Sequence, residues 1–322
     1  MAWRQFRGQF RPLAAVVAVL LVAFAVTAAQ ITDLRRVSGS TELFLADLKE
    51  GYQAYLYQAG SAALFALPVV VGVFWGAPLV ARELETGTHR LVWNQSITRT
   101  RWLAVRLGTV ALATAVVAGV TTAGYGWWAS PIDAAALDRL LPVNFGTRGL
   151  VPVATALFAL AVGTTAGLLL RRTVPAMAVT AAVVVAVQLA LPFAVRQQLV
   201  PPVHTTAALD MGNLSSMGMR SDGTVRVIGN FEEPGAWILT NETVRPDGTP
   251  FERLDDPTPC TRAADTPKEC EKAVAAAGLQ QSVVYHPLRH FWPLQLVEAG
   301  VLLAVAVLLT LLSFWWLRSR VT

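Results

Sequence analysis

The sequence predicts an all-α membrane protein: six transmembrane helices with a small α+β extracytoplasmic insertion between helices 5 and 6. Three observations lead there. Hydrophobic residues make up 54% of the 322 and charged residues only 15%, against about 25% charged in soluble domains. The missing charge is absent from six apolar blocks, each close to the ~20 residues that a bilayer demands. One long hydrophilic stretch separates the fifth block from the sixth and holds both cysteines.

The blocks run Pro12–Ile31, Ala62–Ala81, Trp102–Trp128, Leu150–Leu170, Val174–Val195 and Pro293–Leu317. None carries charge near its centre. Backbone groups in hydrocarbon must be satisfied internally, so each block is read as a helix. The first also resembles a signal peptide, with Arg4, Arg7 and Arg11 ahead of an apolar run. It is long for that role and five more spans follow, so it is read as retained.

Orientation follows from the positive residues. With the N-terminus inside, the cytoplasmic segments hold twelve arginines: Arg4, Arg7, Arg11, Arg82, Arg90, Arg99, Arg101, Arg106, Arg171, Arg172, Arg318 and Arg320. The two short outer loops hold only Arg35, Arg36, Lys49, Arg139 and Arg148. That bias places both termini in the cytoplasm of a multi-pass cell-membrane protein. The net charge of +5 is thus a topology signal. It forms no contiguous basic face for nucleic acid.

The chain divides into an N-terminal segment with spans 1–5 (residues 1–195), an extracytoplasmic loop domain (196–292), and the sixth span with a cytoplasmic C-terminus (293–322). In that domain Thr224–Phe231 and Ala236–Thr240 read as strands, Pro246-Asp247-Gly248 as a turn, and the stretch from Pro267 to Gly278 as a capped helix. An oxidising compartment favours a disulfide between Cys260 and Cys270. A redox or metal pair is the alternative, although the spacing matches no metal motif. In the first outer loop, Leu45, Leu48, Tyr52 and Tyr55 fall on one face of an amphipathic helix suited to the membrane surface.

Chemistry-bearing motifs are few. The chain contains no Gly-Lys pair, hence no phosphate-binding loop and no ATP hydrolysis of its own. No cofactor-binding, metal or catalytic set is read. Glu298 is the one acidic residue in a span, near its outer end; it reads as a snorkelled interfacial residue, with a gating role as the functional alternative. His286 and His290 are four apart with Pro287 between them. No third ligand is evident, so "HPLRHFW" reads as an interfacial anchor.

The loop from Arg82 to Arg101, "RELETGTHRLVWNQSITRTR", is the most informative stretch. "RELE" continues the second helix beyond the membrane, and Thr86-Gly87-Thr88 breaks it. Leu91, Val92 and Trp93 then form an apolar tip. Such a tip in the cytoplasm is costly unless a partner covers it.

The segment Gly72–Gly108, "GVFWGAPLVARELETGTHRLVWNQSITRTRWLAVRLG", resembles the ABC-2 type permeases of ABC exporters, specifically an actinobacterial group. The resemblance extends through Trp127–Asp133, Gly167–Val179 and Phe291–Gly300, and is weakest between Arg196 and Gln281. It implies a coupling helix that docks on a separate ATPase subunit, formed or braced by Glu83, Glu85, Gly87, Thr88, Arg90, Trp93 and Arg101. It also implies an N-terminal amphipathic elbow with Trp3, Phe6 and Phe10 in lipid. A second permease subunit, identical or not, completes the assembly that the resemblance implies. The long loop before the sixth span departs from the shortest members of the wider family. Gly72-x-x-x-Gly76 and Gly163-x-x-x-Gly167 are small-residue patches suited to close helix contact, within the chain or between chains. Pro68 and Pro78 favour bending of the second span. The competing reading is an extracytoplasmic ligand-binding or sensor domain on a membrane anchor. Six spans exceed what an anchor needs.

Overall fold

The computed structural model describes residues 2–87, 98–209, 212, 214–219, 225–252 and 267–319. These residues form two compact units, Met1–Leu199 with Phe291–Thr322 and Val200–His290.

The first unit is helical. Among the described residues, six helices are long and apolar enough to cross a bilayer: Val17–Val37, Tyr52–Glu85, Arg99–Ala136, Val151–Leu170, Thr173–Leu199 and Leu288–Ser319. The first belongs to a continuous helix, Ala2–Val37; the side chains of Trp3, Phe6 and Phe10 lie outside the described residues. The fourth span is the hub. Its apolar window is 78% buried, against 12% for the first span and 17% for the fifth. Residues on every side of the fourth span are apolar or small, as a helix surrounded by others requires.

Close packing at the hub rests on glycine. The second span is a helix (Tyr52–Val71), a π turn (Gly72–Gly76) and a further helix (Pro78–Glu85). The π turn is closed by Ala77 N donating to Gly72 O at 2.9 Å. Pro68 lies inside the first helix and Pro78 opens the second. A Cβ on Gly72 would come within 2.9 Å of Ala159 O, and one on Gly76 within 2.8 Å of Leu160 O. Gly163 and Gly167 lie reciprocally against Gly72, Ala77 and Ala81. Both small-residue patches therefore face each other inside one chain, and neither is left for a second subunit.

Two expectations change here. The second span begins at Tyr52, ten residues before the predicted Ala62. The amphipathic helix preceding it is Thr41–Glu50, started by Ser40, whose hydroxyl accepts from Leu43 N at 3.2 Å. Gly51 is extended (φ −87°, ψ 162°) and separates the two helices. Tyr52 and Tyr55 consequently sit on the second span, exposed, and do not share a face with Leu48. The buried face of the short helix is Phe44 and Leu48.

The second unit is α+β. Strands β1 (Val203–Ala208), β4 (Trp237–Val244) and β5 (Gln280–His286) form an antiparallel sheet in the order β1-β5-β4. Strands β2 (Leu214–Met219) and β3 (Val225–Gly229) pair as a second, antiparallel ribbon. The ribbon joins β4 through Asn241 Nδ2 donating to Gly229 O at 3.1 Å. The turn at Pro246-Asp247-Gly248 forms as expected. Gly248 takes φ +83°, and Asp247 Oδ1 accepts from Thr249 N at 3.0 Å and from Thr249 Oγ1 at 2.7 Å. Those two hydrogen bonds hold the Asp247 carboxyl below its ordinary pKa. A helix, Pro267–Ala276, follows and ends near Gly278 at φ +59°. His286 is fully buried in β5, stacked on Trp237 at 5.6 Å with its Nδ1 3.1 Å from that of His290. It packs within the sheet and is not an interfacial anchor. Cys260, and the side chain of Cys270, lie outside the described residues.

The glycine contacts set a clear test. Gly163→Ala places a methyl against Gly72 O and within 2.7 Å of Ala77 N. It should destabilise the bundle by about 1–3 kcal/mol through overpacking, read as a lower unfolding temperature in detergent. Gly119→Ala, with nothing within 4 Å, should be neutral or stabilising.

Candidate functional site

Among the described residues, buried or partly buried ion pairs of the helical unit lie in two groups. The first group surrounds the loop between the third and fourth spans. Leu137 in the left-handed region (φ 53°) ends the third span, a short helix covers Pro142–Phe145, and Gly149 (φ 66°) leads into the fourth. Arg148 is 4% exposed and Asp133 is 3% exposed. The guanidinium meets the carboxylate through both forks, Nε to Oδ2 at 2.8 Å and Nη2 to Oδ1 at 3.0 Å. This planar two-point geometry is the strong form of the contact. Tyr57 OH donates to Asp133 Oδ1 at 3.2 Å. The guanidinium lies 4.2 Å from the Tyr125 ring centre and 5.4 Å from that of Tyr57. Tyr125 OH in turn donates to Tyr57 O at 2.7 Å and lies 2.7 Å from Ser61 Oγ. Spans two and three and the loop are thereby tied by one network.

Burial acts to lower the Arg148 pKa. The hydrogen bonds and charge of Asp133 outweigh it, and the net shift is upward. Half-buried Asp138 moves the opposite way from a paired carboxylate. Burial, and then the charge of Asp133, raise its pKa.

A second pair lies beside the same loop. Arg196, at the end of a π turn (Pro192–Arg196), and Glu298 in the sixth span are each 2% exposed. They too meet through both forks, Nε to Oε2 at 2.6 Å and Nη2 to Oε1 at 2.9 Å. The Arg196 guanidinium stands 4.1 Å from the Phe145 ring centre. Glu298 is therefore a buried, paired carboxylate, not a snorkelled one. The sequence shows no distance-independent sign of its partner, because Arg196 is 102 residues away. Gln295, fully buried one turn earlier, completes the junction. Its Oε1 accepts from Leu150 N at 2.9 Å and Val151 N at 3.0 Å, and its Nε2 donates to Phe145 O at 3.1 Å. It thus satisfies backbone donors that the first turn of the fourth span leaves without an intrahelical partner.

At the opposite end stands the stem of the 82–101 segment. Glu83 pairs with Arg106 of the third span. Arg106 also donates from Nη1 to Leu79 O at 3.4 Å and lies 5.0 Å from the Trp102 ring centre. Glu85 Oε2 accepts from Thr173 N at 2.9 Å. Thr173 is the first residue of the fifth-span helix, so a carboxylate sits at a helix N-terminus, where the dipole favours it. Gly87 (φ 70°) ends the stem. On the return, Thr98 Oγ1 accepts from Arg101 N at 3.3 Å and starts the third-span helix. Thr88, Arg90 and Trp93 lie outside the described residues. Of the sequence-predicted set, Glu83, Glu85, Gly87 and Arg101 are thus located at the stem, and Glu83 and Glu85 tie it to two further spans.

Residues 11–196 match the profile of a family described as ABC-2 membrane transporter related. The chain belongs to that family. It is a multi-pass integral membrane protein of the ABC permease kind, a component of membrane transport. No curated protein and no solved structure matches it. The family match ends at Arg196, so the second unit and the sixth span lie beyond it.

Two outcomes follow from the buried pair and its neighbour. Arg148→Ala or Asp133→Ala alone should cost about 3–5 kcal/mol by stranding the other charge, while Arg148→Met with Asp133→Leu should recover much of that loss in the same thermal assay. Asp138 has a raised folded pKa, so its contribution to stability is present below the ordinary carboxylate range and is lost as pH rises through the folded value. Asp138→Asn should therefore raise the unfolding temperature at pH 7, with the gain shrinking toward pH 4; a loss at pH 7 contradicts the assignment.

Proposed function

We propose that this chain is the permease subunit of an ABC exporter, driven by a separate ATPase subunit that docks on the 82–101 segment. The observation that carries the reading is the bracing of that segment's stem. Glu83 ties it to the third span through Arg106, and Glu85 ties it to the fifth through Thr173 N. A surface connection has no need of such ties. A lever that must pass displacement into the bundle does, because packed helices move as rigid bodies. Membership of the ABC-2 related family supports the same reading.

In this account both termini and the 82–101 tip are cytoplasmic, in accord with the arginine distribution. The 200–290 unit is extracytoplasmic, where Cys260 and Cys270 pair. Closure of the ATPase dimer on ATP moves the tip, and the stem carries the motion into spans two, three and five. The exported substrate is hydrophobic or amphipathic, since the buried Asp133, Arg196 and Glu298 among the described residues of the spans each have an opposite partner. Two permease subunits form the pathway, and their contact uses faces other than the glycine patches, which are occupied within the chain.

Membrane-impermeant maleimide labelling tests the docking surface. In a background carrying Cys260→Ser and Cys270→Ser, Trp93→Cys should label in inside-out vesicles and stay unlabelled in intact cells. An ATPase should co-purify with the wild-type chain and be lost from Trp93→Asp, with the unfolding temperature unchanged. Labelling from outside intact cells would overturn the proposal and favour a membrane-anchored sensor.

A further inference from the structure

Gln188 in the fifth span is held by its amide nitrogen, which donates to Phe65 O at 2.9 Å. That bond fixes which way the amide faces. Its Oε1 is fully enclosed and has no hydrogen-bond partner among the described residues. A buried acceptor left unmade costs about 1–3 kcal/mol. Beside it lies a cavity of about 30 Å³ between spans two, four, five and six. Gln188, Arg196, Glu298 and Thr155 contribute the polar part of its wall, Phe65 and Leu302 part of the apolar remainder. Cavities that stay dry are apolar; one of this size with polar walls holds water.

We propose that this cavity is a binding site for one small hydrogen-bond-donating group, a water or the hydroxyl or ammonium end of an amphiphile, seated between Gln188 Oε1 and the Arg196–Glu298 pair. The chemistry selects a donor. Gln188 Oε1 can only accept. Each Glu298 oxygen accepts one bond from Arg196 and keeps capacity for another. Both forks of Arg196 that face Glu298 are engaged, so a carboxylate or phosphate finds no free donor pair there. A water or an ammonium, with two or more protons, can donate to Gln188 and Glu298 together, and a hydroxyl donates to one of them.

Occupation has a mechanical consequence. A polar group beside the pair raises the local dielectric and weakens the attraction that holds Arg196 on Glu298. The fifth span is thinly held, with 17% of its apolar window buried, and the pair ties it to the sixth. Filling the site therefore eases separation of the fifth span from the sixth. Only the amphiphile as occupant rests on the transport reading; the site itself does not.

Hydroxyl-radical labelling of the full chain in native membrane vesicles, without nucleotide, reads the site directly, because radicals form at bound water. Leu302 is 4% exposed and Leu160 is 1% exposed, so surface access does not separate them. Leu302 should oxidise several-fold faster than Leu160, and Gln188→Met should reduce it to the Leu160 rate. Dodecanol or dodecylamine that protects Leu302 assigns the occupant to a head group; unchanged labelling in their presence assigns it to water. Both results support the site. Equal rates for Leu302 and Leu160 in the wild-type chain, a comparison needing no variant, overturn it. Since no ATPase is involved, that failure would leave the docking proposal standing.

Discussion

Asp133 and Glu298 each hold an arginine by both forks, in surroundings closed to bulk solvent. An ion left alone in such a place costs several kcal/mol, so each carboxylate fixes the position of its partner's backbone. Arg148 and Phe145 belong to one loop, and Arg196 covers Phe145. Gln295 takes the backbone of Phe145 on one side and of Leu150 and Val151 on the other. Five of the six spans therefore converge on the stretch between Asp133 and Val151. The fourth span can stand at the centre of the bundle because its first turn is satisfied there by a neighbour's side chain.

The two ends of the helical unit are built differently. Around the 137–150 loop the ties are buried and doubly bonded. At the stem of the 82–101 segment they are more exposed, a carboxylate on a helix N-terminus and a partly buried ion pair. The Glu85 tie is exposed and such contacts contribute little, so the stem can move together with the spans it joins. Between these ends the fifth span touches the core along a narrow face of Ala176, Thr180 and Val184. A firm junction at one end, compliant ties at the other and a lightly held helix between them suit a molecule that must move without coming apart.

Much of this was legible in the sequence because hydrocarbon imposes a simple rule. Six apolar blocks of bilayer length gave six helices, and the strand at Trp237, the turn at Asp247 and the helix after Pro267 followed from local chemistry. Boundaries were less legible. Tyr52 and Tyr55 read as part of an amphipathic helix outside the second span, yet the span already begins there, and Tyr57 and Ser61 are polar because they serve the Arg148 network. Glu298 was visible as an anomaly, but its pairing is a long-range fact, as is that of Asp133 with Arg148. Strands β1 and β5 escaped notice because they pair across more than seventy residues of chain, and β2 because Leu214–Met219 is mostly small or polar. The glycine patches were seen, and their partners proved to be each other.

A double-mutant cycle on the second buried pair tests the central claim most directly. Arg196→Glu, Glu298→Arg and the two together would be compared by unfolding temperature in lipid nanodiscs. Each single change should lower stability sharply and the exchanged pair should restore most of it, because the junction depends on opposite charges meeting there. Losses that simply add in the double variant would contradict the account.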